Sequence, residues 1–300
     1  MDSQGLRKEF QLKLMRLDHG EPHDFTRSPW FSSPKWYLVY RTVICLYQIC
    51  TYATTKALYG ISARTLFYLT DLGYIILTAH SIVGAWLCFR DSYGGRSYPK
   101  SSDDRPSFPD NDVRTTTRST DATHQTSQPI TALSLYHKGY WVLYNVAFAI
   151  GLYITIGFWA VPGGNVDPHS ILFNVMNSVV IVIDVFVSGL QYRLMHLVYP
   201  SAFGFAYMVF VVIYWAAGGI SVYGRPWLRG YLDYGDHPGM AAGIAAASVL
   251  VAIPLCHAIL FGLALAREMM PGVVQGRMRS RNSIRDGGVP MEQHRDVFNA

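Results

Sequence analysis

Charge is scarce in this chain of 300 residues. Only 15% of them are Asp, Glu, Lys or Arg, against about a quarter in soluble domains. Half the residues are hydrophobic, and the charges crowd into the N-terminal part, a middle segment and the C-terminal part. Long apolar stretches lie between, a layout that suits lipid rather than a soluble core. Cysteine is scarce too. Cys45, Cys50, Cys88 and Cys256 all fall in apolar stretches without CxxC spacing, so neither a disulfide framework nor a metal site is expected, and no cofactor. Asn-x-Ser/Thr sequons are absent. The first 35 residues have no apolar h-region and contain Pro22, Pro29 and Pro34, so the first membrane helix is the expected insertion signal. The net charge of +5 comes without a nucleic-acid-binding motif, and no nucleic-acid partner is expected.

A membrane-crossing helix needs roughly 20 mostly apolar residues. Six stretches qualify, predicting an all-α, polytopic transmembrane bundle. They run from about Trp36 to Leu58, Leu66 to Phe89, Tyr140 to Val161, Ile171 to Leu190, Tyr199 to Ile220 and Met240 to Ala266. The expected organisation is a cytosolic N-terminal segment (1–35), two spans within 36–90, a cytosolic loop (91–138), four spans within 139–266, and a basic cytosolic tail (267–300). Basic residues orient the chain. With both termini cytosolic, nineteen loop and tail Lys/Arg lie inside and three outside, namely Arg64, Arg225 and Arg229. Loop 91–138 is dense in Ser, Thr, Asp and Pro, and it and tail 271–300 read as disordered. The run GRMRSRNSIR in the tail suits contact with anionic lipid. No ER-retrieval signal ends the sequence at FNA, so the plasma membrane is the default expectation and an endomembrane the alternative.

Ionisable groups in hydrocarbon are expensive unless paired or hydrated, so each calls for an explanation. Arg41, Asp71, His80, Asp184 and His257 stand out. Arg41 lies five residues into the first span. Asp184 lies toward the end of the fourth, which runs the opposite way, so the rise of about 1.5 Å per residue puts them at similar depth. An Arg41–Asp184 ion pair is one expectation. The other is that Arg41 snorkels to the interface and Asp184 bonds to helix hydroxyls or amides. His80 and His257 read as neutral core histidines, and Pro254 as a kink near His257. Asn177, Asp184 and Gln191 are spaced by seven, so on a helix to Leu190 they form one polar stripe, with Asn174 at its start. Thr70 and Asp71 open the second span at the same outer depth. This polar set reads either as interhelical glue or as an outward-opening pocket for a lipid ligand.

The stretches WYLVYRTVICLY, FYLTDLGYIILTAHSIVGAW and NSVVIVIDVFVSGLQYRLMHLVYPSAFG followed by YMVFVVIYWAAGG resemble the rolling stone family. NSV-x4-D and RLMH-x2-YP are the most specific elements. The resemblance covers most of the membrane portion and implies a multi-pass protein associated with cell–cell fusion in developing muscle. Rolling stone proteins are in turn distantly similar to androgen-induced and androgen-dependent membrane hydrolases, which cleave fatty-acid esters of hydroxy fatty acids with a membrane Thr and a membrane His. The resemblance carries the Thr over to Thr70 in YLTDL. Where the related pattern has His, three residues before the Asn of NSV, this chain has Asn174, which cannot act as the base. His169 is the nearest substitute, and Thr70 with His169 are the candidate catalytic residues of a hydrolase reading. The favoured expectation is a non-enzymatic protein of fusion or adhesion, partnered by the lipid bilayer and by other membrane or cytosolic proteins. The alternative is an intramembrane lipid-ester hydrolase with Thr70 as nucleophile.

Overall fold

The computed structural model describes Met15, Leu17 and residues 22–31, 33–60, 62–94, 133–160 and 171–270. The bulk of the loop expected to be disordered, the tail from 271 and His169 lie outside the described residues. Among the described residues every regular element is helical.

Ser33 opens α1 (Pro34–Tyr59) by accepting from the Lys35 amide at 3.3 Å, and Pro34 sits in the first turn, where a missing N–H costs nothing. Gly60, at φ +81°, ends it. A 3-10 turn (Ala63–Phe67) leads into α2 (Leu69–Tyr93). The orphan amides of a helix start need outside partners. Here the Tyr207 hydroxyl accepts from the Leu69 amide at 3.0 Å and donates to the Phe67 carbonyl at 3.0 Å. α3 (Leu135–Ala160) follows, then a π-helical turn (Ile171–Val175) continuing into α4 (Met176–Val187). A 3-10 turn (Leu194–Leu197) runs into α5 (Val198–Ala216). α6 (Pro238–Ala247), a π-helical turn (Ser248–Ala252) and α7 (Ile253–Glu268) form one 31-residue rod. The π turn stands directly before Pro254. Proline has no N–H and crowds the carbonyl four residues back, so a wider turn there relieves what would otherwise break the rod.

Six helical segments thus occupy the six expected stretches. Four are long and apolar enough to cross a membrane: Leu69–Tyr93, Leu135–Ala160, Leu194–Ala216 and Pro238–Glu268. α1 has the length, but Arg41, Gln48, Lys56 and four threonines lower its hydropathy. α4 is apolar but short. Several boundaries differ from the sequence expectation. α2 continues to Tyr93 and α3 begins at Leu135, because helices carry on through polar residues that hydropathy assigns to loops. The fourth segment stops at Val187, not Leu190.

α3 is the axis of the bundle. Every residue from Tyr144 to Gly151 is buried, so the helix is covered on all faces. It packs against α2, α4, α5 and α7. Its neighbours come close through glycine notches. A Cβ on Gly73 of α2 would overlap Ile154 Cδ1, and one on Gly151 would overlap Ile181 Cδ1 of α4. At Gly157, on the same helix, a Cβ meets nothing within 4 Å. Gly151→Leu is therefore expected to lower unfolding free energy in detergent by about 1–3 kcal/mol through overpacking. Gly157→Leu is the control and should leave the unfolding midpoint unchanged.

Candidate functional site

Tyr37, Tyr40 and Arg41 lie on one face of α1, three and four residues apart. That face meets the last turn of α4, where Asp184 is 2% exposed. Arg41 Nη1 donates to Asp184 Oδ2 at 2.8 Å, and the Tyr40 hydroxyl donates to Asp184 Oδ1 at 3.0 Å. Arg41 Nε and Nη2 turn back to the Tyr37 hydroxyl at 2.8 and 2.5 Å. Both carboxylate oxygens are engaged, and Arg41, also 2% exposed, lies 5.0 Å from the Tyr37 ring centroid. Of the two expectations for these residues, the structure takes the ion pair.

One turn beyond Asp184 the helix stops inside the bundle, and residues 188–193 continue as a largely buried, non-helical strap. The last carbonyls of a helix have no partners of their own, and in an apolar setting each must find one. Side chains from three other parts of the chain, the N-terminal segment, α3 and α7, supply them. The Trp30 indole donates to Phe186 O at 2.6 Å and Ser28 Oγ to Val187 O at 2.6 Å. Arg267 Nη1 donates to Val185 O at 2.8 Å and to Ser188 O, and Arg267 Nη2 to Leu190 O at 3.2 Å. The Trp141 indole donates to Gln191 O at 3.0 Å, and His257 Nε2 lies 3.0 Å from Arg193 O, so that nitrogen carries the proton. Gly189 lets the N-terminal segment close over the strap, since a Cβ there would stand 2.8 Å from Arg27 O. The polar stripe expected to reach Gln191 is thereby corrected. It ends at Asp184, because beyond Val187 the period of a helix no longer applies.

Two contributors to this arrangement escaped sequence reasoning. Arg267, counted with the basic tail, is fully buried at 0% exposure. Residues 22–31, counted with a polar N-terminal segment, pack under the bundle. Phe25 is buried against His137, Tyr140 and Trp141, and Thr26 Oγ1 donates to Asp91 at 2.8 Å. The alternation of aromatics with Ser and Pro in FTRSPWFSSP was the available signal.

His80, on the buried face of α2, stacks on Tyr140 with ring centroids 4.9 Å apart and meets Phe148 edge-on at 5.0 Å. The chain of rings continues from Tyr144 to Tyr192 at 5.4 Å and from Tyr192 to His257 at 4.7 Å. Asn145 Nδ2 donates to Trp141 O at 2.7 Å beside the buried His196.

The other end of the bundle holds the remaining candidates. Asp71 pairs with Lys56 across the α1–α2 junction. Thr70 is half-buried, and its Oγ1 accepts from Arg229 Nη2 at 3.3 Å. His80 is ten residues further along the same helix, about 15 Å away at 1.5 Å per residue. Asn174 and Asn177 are buried at 8% and 3% exposure. Thr155 Oγ1 of α3 donates to the Asn174 carbonyl, and Ser178 Oγ donates to Thr155 Oγ1 at 2.7 Å. Thus the structure joins Arg41 to Asp184 and Lys56 to Asp71, and it gives the Thr70 hydroxyl a cation as its neighbour. Among the described residues no group of three or more His, Cys, Asp or Glu is placed to hold a metal ion.

Breaking the buried pair from either side leaves an uncompensated charge. Arg41→Gln and Asp184→Asn are each expected to cost about 3–5 kcal/mol of unfolding free energy. The double substitution should cost clearly less than the sum of the two, as read by a double-mutant cycle on the detergent-solubilised protein.

Comparison with known proteins places these features in a family. The family model for protein rolling stone matches residues 110–276, a span that contains α3 to α7, Asp184, the strap and Arg267. The curated protein rolling stone of Drosophila melanogaster is 23% identical over 274 residues, covering 87% of this chain and 91% of that protein. No solved structure matches. With more than half its length matched by the family model, the chain belongs to the rolling stone family.

Proposed function

We propose that this protein is a six-span integral membrane protein, with both termini cytosolic, that acts at the plasma membrane in cell–cell fusion or adhesion as a non-catalytic helix bundle. One observation carries the non-catalytic part. The buried charges are absorbed by one another and by backbone carbonyls, while Thr70 faces Arg229 with His80 about 15 Å away along the helix. An arginine polarises a hydroxyl but does not take its proton at neutral pH, so among the described residues, which do not include His169, base-assisted attack has no agent beside Thr70. Support for six spans comes from the helices in the expected places together with the split of nineteen basic loop and tail residues against three. α1 tolerates its polar residues because Arg41 and Gln48 are both buried toward the bundle. Partners in fusion or adhesion would be other membrane proteins or cytosolic adaptors on the basic segments.

Three measurements test this reading. Epitope tags at the two termini should stain only after permeabilisation, and a tag in the loop near Arg225 should stain on intact cells. The opposite staining pattern overturns the topology. Depletion in fusion-competent cells should reduce multinucleate cells, and re-expression of Thr70→Ala should restore them fully. Failure of Thr70→Ala to rescue, together with fluorophosphonate labelling of the wild type that Thr70→Ala abolishes, would replace this reading with the hydrolase one.

A further inference from the structure

The segment that folds under the bundle is fixed from within and bare on its outer side. Phe25 is buried, Ser28 Oγ donates to Val187 O, and one edge of the Trp30 indole is held by Phe186 O. These contacts leave large aromatic surfaces facing out. Trp30 is 43% exposed and Phe31 37%, and Trp36, in the first turn of α1, is 66% exposed. Two cations lie among them in the chain. Arg27 and Lys35 are both exposed, and among the described residues no carboxylate stands within 4 Å of either. Neither side chain has a hydrogen-bond partner.

The level of this surface relative to the bilayer follows from α1. Trp36, Val39, Val43 and Leu46 are each at least half exposed, and their spacing of three and four residues puts them on one face. Arg41 and Gln48, both buried, lie on the opposite face. An exposed apolar stripe on a helix that turns its polar residues into the bundle faces lipid. Trp36 stands at the head of that stripe, where hydrocarbon gives way to headgroups and tryptophan is favoured. Lys35 is its neighbour, and its long apolar stem lets the ammonium reach headgroup level. Arg27 belongs to the segment that the hydrogen bonds to Phe186 and Val187 hold at this same end of the bundle.

We propose that residues 27–36 form a docking surface for anionic phospholipid of the cytosolic leaflet. The rings of Trp30, Phe31 and Trp36 seat at the boundary of the hydrocarbon, and Arg27 and Lys35 pair with headgroup phosphates and carboxylates. A guanidinium and an ammonium gain charge-assisted hydrogen bonds from an anionic headgroup, whereas the fixed cation of a choline headgroup repels them. Because the segment is already held to the end of α4, little ordering is lost when lipid binds. This inference rests on reading α1 as membrane-spanning with its start in the cytosol, and it is independent of any role in fusion.

The test is native mass spectrometry of the full chain purified in detergent with equimolar phosphatidylserine and phosphatidylcholine of identical acyl chains. Detergent offers both lipids to both ends of the bundle, so the result does not depend on which end is cytosolic. Wild type should retain phosphatidylserine at least about fivefold over phosphatidylcholine, the effect of one basic residue at an anionic surface. Combining Arg27→Gln with Lys35→Gln should erase that preference. Combining Arg64→Gln with Arg225→Gln removes the same charge from exposed residues at the other end and should leave it intact. Unfolding midpoints like that of wild type confirm the fold of both variants. Equal retention of the two lipids by wild type would overturn the proposal. So would a preference that survives the loss of Arg27 and Lys35, or one that falls equally in both variants and so reports net charge alone.

Discussion

An interrupted helix inside an apolar bundle has to answer for its carbonyl oxygens. α4 stops at Val187, and from Val185 to Arg193 a series of carbonyls is met by donors from other parts of the chain: Ser28 and Trp30 from the N-terminal segment, Trp141 from α3, and His257 and Arg267 from α7. In lipid an unmet carbonyl costs several kcal/mol, so these contacts are obligations rather than decoration. They explain how Arg267 is buried although its carboxylate neighbour Glu268 stands no closer than 3.5 Å. Its guanidinium serves as a forked cap for three carbonyls, and a cation at a helix C-terminus is also favoured by the helix dipole. They likewise explain why residues 22–31 fold back under the bundle instead of trailing from α1.

The Arg41–Asp184 pair belongs to the same construction. It ties α1, the least apolar helix, to the turn of α4 just before the break, and the Tyr37 and Tyr40 hydroxyls complete its hydrogen bonding. Around it α3 serves as the common wall. A notch at its Gly151 admits α4 closely, Gly73 of α2 does the same from the facing helix, and its aromatics pack against His80, His196 and the strap. At the far end the bonds are of a different kind. Tyr207 caps α2, Thr155 holds the π turn before α4, and Tyr153 donates to Ser248 of the second π turn at 2.9 Å. Both π turns are tied to α3 from its last two turns, so one helix fixes both irregularities.

The helices and the charge pair were legible in the sequence because two simple quantities carry them. Hydropathy over about 20 residues marks the rods, and rise per residue sets Arg41 and Asp184 at one depth. Arg267 was not legible, because a basic residue at the end of an apolar run reads the same whether it turns to water or back into the bundle. The strap was hidden for a related reason. SGLQYR continues the polar spacing of α4, and nothing local announces that carbonyls of that segment are capped from distant parts of the chain. Thr70 shows the limit of motif transfer. The resemblance implies a nucleophile there, yet among the described residues the neighbour of its hydroxyl is Arg229, and His169 lies outside them.

That the bundle depends on capping of the interrupted helix is tested most directly at Arg267. The measurement is the unfolding free energy of Arg267→Met in detergent micelles, compared with wild type. Methionine keeps most of the bulk and removes every donor, leaving the carbonyls of Val185, Ser188 and Leu190 unmet. The account predicts a loss of at least about 3 kcal/mol. A change within about 0.5 kcal/mol, the range of an ordinary surface substitution, would contradict it.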